Sequence, residues 1–143
     1  MKMKLFVGIF MAVALATVLA TPALSQEQES TAPMTPTEIT IEDAVIGQNV
    51  VDRVPIGTGD VFASDIEKVY CFCRVIGAAQ PTEIAFNWYH QGSLKSTVKL
   101  PVRSASWRTW SSKTISPEMT GEWMVEILAA DGTPLESIIF FIQ

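Results

Sequence analysis

The sequence predicts an all-β fold: an immunoglobulin-like antiparallel β-sandwich of about seven strands, with a small β-barrel as the alternative. Apolar residues recur with a period of two, the repeat of strands that bury one face. Turn-forming residues interrupt this pattern roughly every 8–15 positions, as in sandwiches and barrels. Trp88 follows a cysteine-bearing segment, which matches the order of hallmark residues in immunoglobulin strands.

The N-terminal segment predicts export. Met1–Lys4 carries two lysines, Leu5–Ala20 is an apolar run, and Ala23–Ser25 forms a small-x-small cleavage site. We therefore expect residues 1–25 to be a signal peptide and the protein to be periplasmic or secreted. If this segment stayed uncleaved it would act as an anchor, which is the one route to a weak membrane association.

The remainder of the chain divides into a tether and a domain. Residues 26–37 are polar and rich in Ser, Thr, Pro and Glu, which is typical of a disordered tether. Residues 38–143 are long enough for one β-sandwich domain. The chain has 10 Lys and Arg against 15 Asp and Glu, and signal removal takes away two of the lysines. An acidic balance of this kind disfavours nucleic-acid binding.

Seven segments between turn-forming clusters fit the strand pattern. In the fourth, Leu94, Val98, Leu100 and Val102 are expected to share the buried face. In the sixth, Trp123, Val125 and Ile127 are expected to face the core. The predicted strands are Glu38–Ile46, Glu67–Gly77, Thr82–His90, Leu94–Arg103, Trp107–Ile115, Glu122–Ala130 and Leu135–Gln143.

Several of these strings together resemble a known family. The segments "VYCFCRVIGA", "NWYHQG", "LPVRSASWRTWSSKTI" and "TGEWMVEI" are similar to the bacterial domain of unknown function 2914, and the resemblance runs from Val51 to Ile142. It implies an envelope-associated bacterial domain and no established activity. The pattern expected for that family has Thr where this chain has Cys73, so a role requiring both cysteines would be peculiar to this protein.

The two cysteines lie two residues apart on a predicted strand. Cys71 and Cys73 therefore point to one face, with parallel side chains at the outer limit of disulfide geometry. We expect two small buried hydrophobes and no mutual disulfide. Two alternatives remain: a metal site formed by the two cysteines together with His90, or a disulfide between two chains.

The sequence offers little for catalysis. It has one histidine, and it lacks the nucleophile elbow, the zinc-protease motif and a phosphate-binding glycine loop. Glu122 and Glu126 fit the solvent face of a strand better than a glycosidase pair. We expect a protein that is not an enzyme and that needs no cofactor.

The stretch Trp107–Ile115 places an indole on each face of a strand. If Trp107 enters the core, Arg108 and Trp110 stand outside as a neighbouring pair, with the guanidinium close enough to lie on the ring. The opposite arrangement would draw Arg108 toward the core without a carboxylate. The outward pair either binds a ligand or only covers the sheet. The candidate binding residues are Trp110, Arg108, Lys113, Tyr89 and His90.

Two strands are apolar on both faces, which is typical of sheets that are covered on both sides. These are the segments 69–76 and 138–142. We therefore expect a non-catalytic envelope module that binds a protein partner or self-associates as a homodimer. One alternative is a carbohydrate- or peptidoglycan-binding module with an exposed Trp/Arg platform. The other is a redox or metal protein centred on the cysteines.

Overall fold

The computed structural model describes residues 38–143, and strands make up its regular structure. The predicted signal peptide and tether lie outside this range. Within it, no helix could span a membrane. The strands are β1 (Thr40–Gly47), β2 (Asn49–Val51), β3 (Val54–Ile56), β4 (Val61–Phe62), β5 (Lys68–Ile76), β6 (Thr82–His90), β7 (Ser93–Val102), β8 (Ser106–Thr114), β9 (Gly121–Ala129) and β10 (Pro134–Ile142).

The long strands form two sheets that enclose one core. The smaller sheet has the order β1-β5-β8, and the larger has the order β4-β10-β9-β6-β7. The chain changes sheet between β4 and β5, between β5 and β6, between β7 and β8 and between β8 and β9, and such crossings are typical of immunoglobulin-like sandwiches. Neither sheet closes on itself in the described range. The predicted β-sandwich is therefore confirmed over the barrel alternative.

The core consists of the inward residues of both sheets. Trp88, Trp123, Phe86 and Phe140 are its largest fully buried side chains. Phe140 packs edge-on against the ring of Trp88 and stacks on the ring of Trp123. Each buried indole N–H has an acceptor, because Trp88 Nε1 donates to Ser111 Oγ at 3.2 Å and Trp123 Nε1 donates to the Met119 carbonyl at 2.9 Å.

A β-bulge in β7 corrects the predicted faces of that strand. Val98, Leu100 and Val102 lie on the inward face, as expected. Leu94 does not, because the register of β6 and β7 shifts after Trp88 and leaves Leu94 opposite Tyr89 on the outer face. Leu94 is consequently 54% exposed.

Three short strands were absent from the sequence prediction. β2 and β3 form a hairpin, and β2 contacts β5 of the smaller sheet. The two turn residues of this hairpin, Asp52 and Arg53, both have positive φ, at 50° and 61°. β4 pairs in parallel with β10, at Val61 opposite Phe141. The hairpin brings Arg53 next to β8.

Candidate functional site

The stretch 107–115 divides between the two faces of the smaller sheet as the sequence predicted. Thr109, Ser111 and Ile115 are buried on the inward face, and Trp107 packs against the core from the same side. Trp110 lies on the outer face. One indole therefore belongs to the core and the other covers the outside of the sheet.

Trp110 packs on a neighbour that the sequence did not predict. It lies directly across from Phe72 of β5, with ring centroids 6.5 Å apart and an interplanar angle of 18°. Phe72 is only 4% exposed although it is on the outer face. The indole thus shields an apolar neighbour, so Trp110 has a packing role on the outer face.

A small cavity lies beside β8, which forms one edge of the smaller sheet. Its volume is about 240 Å³. It lies where the hairpin turn and strand β7 approach that edge, so it combines residues from three parts of the chain. The lining residues are Arg53, Pro101, Trp107, Arg108, Thr109 and Trp110.

Two arginines, Arg74 and Arg108, lie next to each other on the outer face of the smaller sheet near this cavity. Arg108 stands directly opposite Arg74, and like charges in that relation repel. Arg74 in turn pairs with Glu42 at 3.7 Å and donates from Nε to Ser106 Oγ at 3.1 Å. In residues 38–143 this is the one ion pair, so it offsets the charge of Arg74 but not that of Arg108 or Arg53.

The structure does not bring the five predicted binding residues together. Lys113 shares the inward face with Trp107 and so lies on the other side of the sheet from Arg108 and Trp110. Tyr89 is on the outer face of the larger sheet. His90 stacks on Trp123 at 4.6 Å, and its Nε2 lies 2.8 Å from the Thr120 carbonyl oxygen, which requires the N–H at Nε2. Only Arg108 and Trp110 share a site.

A second surface lies on the outer face of the larger sheet. Ile139, Met124, Tyr89 and Leu94 stand opposite one another on β10, β9, β6 and β7. We call these four residues the outer apolar row. Its two ends are open to solvent, with Ile139 49% exposed and Leu94 54% exposed. Phe141 and Val61 extend the apolar surface in the adjacent row of residues.

Charged residues flank the outer apolar row on two strands. Glu122 and Glu126 project from β9 on the same face as Met124. Lys95 and Lys99 are exposed on β7. None of the four belongs to an ion pair within the described part of the chain. The face therefore carries an acidic strand and a basic strand, separated by β6.

Both cysteines are free and fully buried in the core. Burial raises the pKa of the Cys73 thiol to about 12. Burial also raises the pKa of Cys71 well above its ordinary value, and the neighbouring Cys73 adds to this. Thiolates are the reactive form of cysteine. The arrangement therefore weighs against the redox alternative, and residues 38–143 contain no cluster of metal-ligating side chains.

Sequence reasoning missed three of the residues that build these surfaces. Leu94 was assigned to the core because strict alternation cannot reveal a bulge. Arg53 was overlooked because Asp-Arg is an unusual pair for a two-residue hairpin turn, where Asn-Gly is the common signal. Met124 projects outward between two core residues, and the alternation does not distinguish it from other outward residues. The two-sided apolar character of segment 138–142 is the sequence signal that points to this face.

Comparison with known proteins finds a family similarity over part of the chain. The model of the family described as "Protein of unknown function (DUF2914)" matches residues 81–142, so this part of the chain is similar to that family. No curated protein sequence matches the chain.

Three solved structures show weak similarity in backbone arrangement. They are the β-glucosidase of Kluyveromyces marxianus (11% identity, TM-score 0.44, 75% of this chain), the GH3 β-glucosidase of Bifidobacterium adolescentis (10%, 0.40, 73%) and the β-glucosidase of Listeria innocua solved in complex with glucose (8%, 0.42, 73%). The matched region spans 14%, 17% and 16% of those chains, respectively.

Proposed function

We propose that this protein, which is similar to the DUF2914 family over residues 81–142, is an exported, non-catalytic interaction module that associates with a second copy of itself through the outer face of the larger sheet. The observation that carries the proposal is the outer apolar row. It places four apolar side chains in register on four adjacent strands and leaves them facing solvent. Contiguous apolar surface of this kind marks interaction sites.

The composition of β10 supports a covered face. Its inward residues Phe140 and Ile142 are buried in the core, while Ile139 and Phe141 point the other way and are about half exposed. Strands that are apolar on both sides are typical of sheets covered on both sides. A partner on the outer face would complete this burial.

The charge pattern favours a second copy as that partner. A two-fold axis along β6 would lay the outer apolar row of one copy on the same row of the other. It would also bring β7 of each copy over β9 of its partner. Lys95 and Lys99 would then approach Glu122 and Glu126, so the surface is self-complementary, as isologous dimers require.

The size of the face predicts a weak dimer. Four strands side by side are about 19 Å wide, and eight residues of each strand are about 27 Å long. That footprint lies below the roughly 800 Å² per partner of a standard interface. We therefore expect a concentration-dependent equilibrium with a dissociation constant in the micromolar range.

Sedimentation equilibrium of the purified protein tests the proposal. Ile139→Glu should abolish the dimer, because it places a carboxylate in the row beside Glu122 and Glu126. Ile56→Glu is the matched control, since Ile56 is an exposed isoleucine of the hairpin, away from this face. A wild-type protein that remains monomeric up to about 1 mM, where only very weak contacts would be missed, contradicts the proposal. Equal association of Ile139→Glu and wild type does so as well.

A charge exchange distinguishes a second copy from an unrelated partner. Glu126→Lys and Lys99→Glu should each weaken self-association, because each places like charges on facing strands. Combined in one chain, they should restore part of the affinity, since the acidic and basic positions are then interchanged. Failure of the combination to recover any affinity would count against the two-fold arrangement.

The export part of the proposal rests on the signal sequence of residues 1–25. Mass spectrometry of the protein from its native host should find a chain that begins at Gln26 in the soluble envelope fraction. A full-length mass in the membrane fraction would contradict it.

A further inference from the structure

We propose that the cavity beside β8 is a second binding site, and that it takes a carboxylate-bearing sugar residue such as a hexuronic acid. The site lies on the smaller sheet and is separate from the self-association face. Its occupancy does not depend on whether the protein dimerises. The inference rests on charge, backbone strain and the shape of the cavity, which are argued in turn.

The charge of the cavity lacks compensation within the described residues. Arg53 and Arg108 both line it, and no carboxylate does. Arg74 stands directly opposite Arg108 across the strands, while the sole described ion pair joins Arg74 to Glu42. This clustering occurs in a chain whose formal net charge is −5. A bound carboxylate would offset the repulsion, and guanidinium groups bind carboxylates with two parallel hydrogen bonds.

The backbone holds Arg53 in a conformation that an L-residue adopts with difficulty. Its φ is 61°, and that of Asp52 is 50°. Two-residue turns with positive φ at both positions favour Asn-Gly, because glycine adopts the left-handed conformation without steric cost. Here the second position carries a long cationic side chain that reaches the cavity. Strain retained at a residue of this kind is typical of binding sites.

The remaining walls suit a sugar ring. Trp107 and Trp110 line the cavity from opposite faces of β8, and Pro101 and Thr109 complete the lining. The cavity opens to solvent, and its volume of about 240 Å³ is room for one ring with its substituents. Aromatic walls with a few converging charged groups are typical of small-ligand sites. The acid group would meet the arginines while the ring packs on the outward indole of Trp110.

Titration of the purified protein with glucuronate, followed by NMR and by tryptophan fluorescence, tests the assignment. We expect saturable binding that shifts the indole signals of Trp107 and Trp110. Glucose at the same concentration should bind at least tenfold more weakly, because it lacks the carboxylate. Acetate should also bind at least tenfold more weakly, because it lacks the ring. Equal binding of glucose, or equal binding of acetate, would overturn the assignment to an acidic sugar, as would the absence of saturable glucuronate binding.

Two pairs of variants separate a binding role from a structural one. Arg53→Gly should reduce glucuronate affinity at least tenfold while raising the unfolding midpoint, because it removes the charge and relieves the strain. Asp52→Gly relieves strain in the same turn outside the cavity lining and should leave affinity unchanged. Arg108→Gln should reduce affinity at least tenfold, whereas Lys113→Gln, on the opposite face of the same strand, should not. Unchanged affinity in both arginine variants would overturn the proposal.

Discussion

The indole nitrogen of Trp88 donates a hydrogen bond of 3.2 Å to the hydroxyl oxygen of Ser111, across the interior from the larger sheet to the smaller. Both residues are buried. A buried indole N–H without an acceptor would lose its bond to water and gain nothing in return. The bond therefore accounts for a serine on the inward face of β8.

Removal of that acceptor should destabilise the protein measurably. We expect Ser111→Ala to lower the free energy of unfolding by about 1–3 kcal/mol, the cost of an unsatisfied buried polar group. Ser112→Ala, at the exposed neighbouring position, should change it by less than about 0.5 kcal/mol. Urea unfolding of the two variants makes the comparison. Equal stabilities would mean that the N–H finds another acceptor.

The core thiols predict a loss of stability at alkaline pH. Burial raises the pKa of Cys73 from 9.0 to about 12 and raises that of Cys71 as well. The pKa of each thiol is higher in the folded protein than in the unfolded chain. The stability that the buried, protonated thiols contribute is therefore fully present below pH 9 and is lost as the pH rises toward 12. Between pH 9 and pH 12, each such thiol should lower the free energy of unfolding by about 1.4 kcal/mol per pH unit.

Urea unfolding between pH 8 and pH 11 measures this dependence. The control is the double variant Cys71→Ala/Cys73→Ala, which should be less stable at pH 8 but should show a shallower decline above pH 9. The same decline in both proteins would assign the effect to other groups, such as tyrosines and lysines.

Trp110 should contribute to stability through Phe72. Trp110→Ala uncovers a phenylalanine that is otherwise almost fully buried, so we expect a loss of about 2 kcal/mol, below the roughly 3–5 kcal/mol of a fully buried aromatic. Trp110→Phe should recover most of this loss because it retains a ring against Phe72. Thermal unfolding of both variants provides the test, and a Trp110→Ala protein as stable as the wild type would show that the stacking contributes nothing.

The bulge in β7 separates two leucines that simple alternation would place together. Leu94→Ser should leave the free energy of unfolding within about 0.5 kcal/mol of the wild-type value, because Leu94 faces solvent. It should nevertheless weaken self-association. Leu100→Ser, on the inward face, should cost about 2 kcal/mol or more through lost core packing. Equal destabilisation by the two substitutions would place Leu94 in the core after all.

The alternation of apolar and polar residues predicted the architecture, because the face that a strand residue occupies follows from the local sequence. The period-two pattern located the seven long strands, and it placed Trp107 and Trp110 on opposite faces of β8. It could not anticipate the bulge at Leu94, since the register shift arises from pairing between β6 and β7. Nor could it bring Arg53 to β8, because that contact depends on how the hairpin folds over the sheet. The proposed self-association surface was likewise hidden, since its four members come from four strands.

Cross-linking of introduced cysteines tests self-association through the outer face most directly. Asn87 lies on β6, next to Tyr89 and near the proposed two-fold axis. Sheets that pack face to face lie about 10 Å apart, which is too far for a disulfide but within reach of a short bifunctional maleimide, so Asn87→Cys should be cross-linked in the dimer. Ser112→Cys, at an exposed position on the smaller sheet, is the control. With this reagent at micromolar protein concentration, we expect Asn87→Cys to form a covalent dimer much faster than Ser112→Cys. Equal rates for the two proteins would contradict self-association through this face.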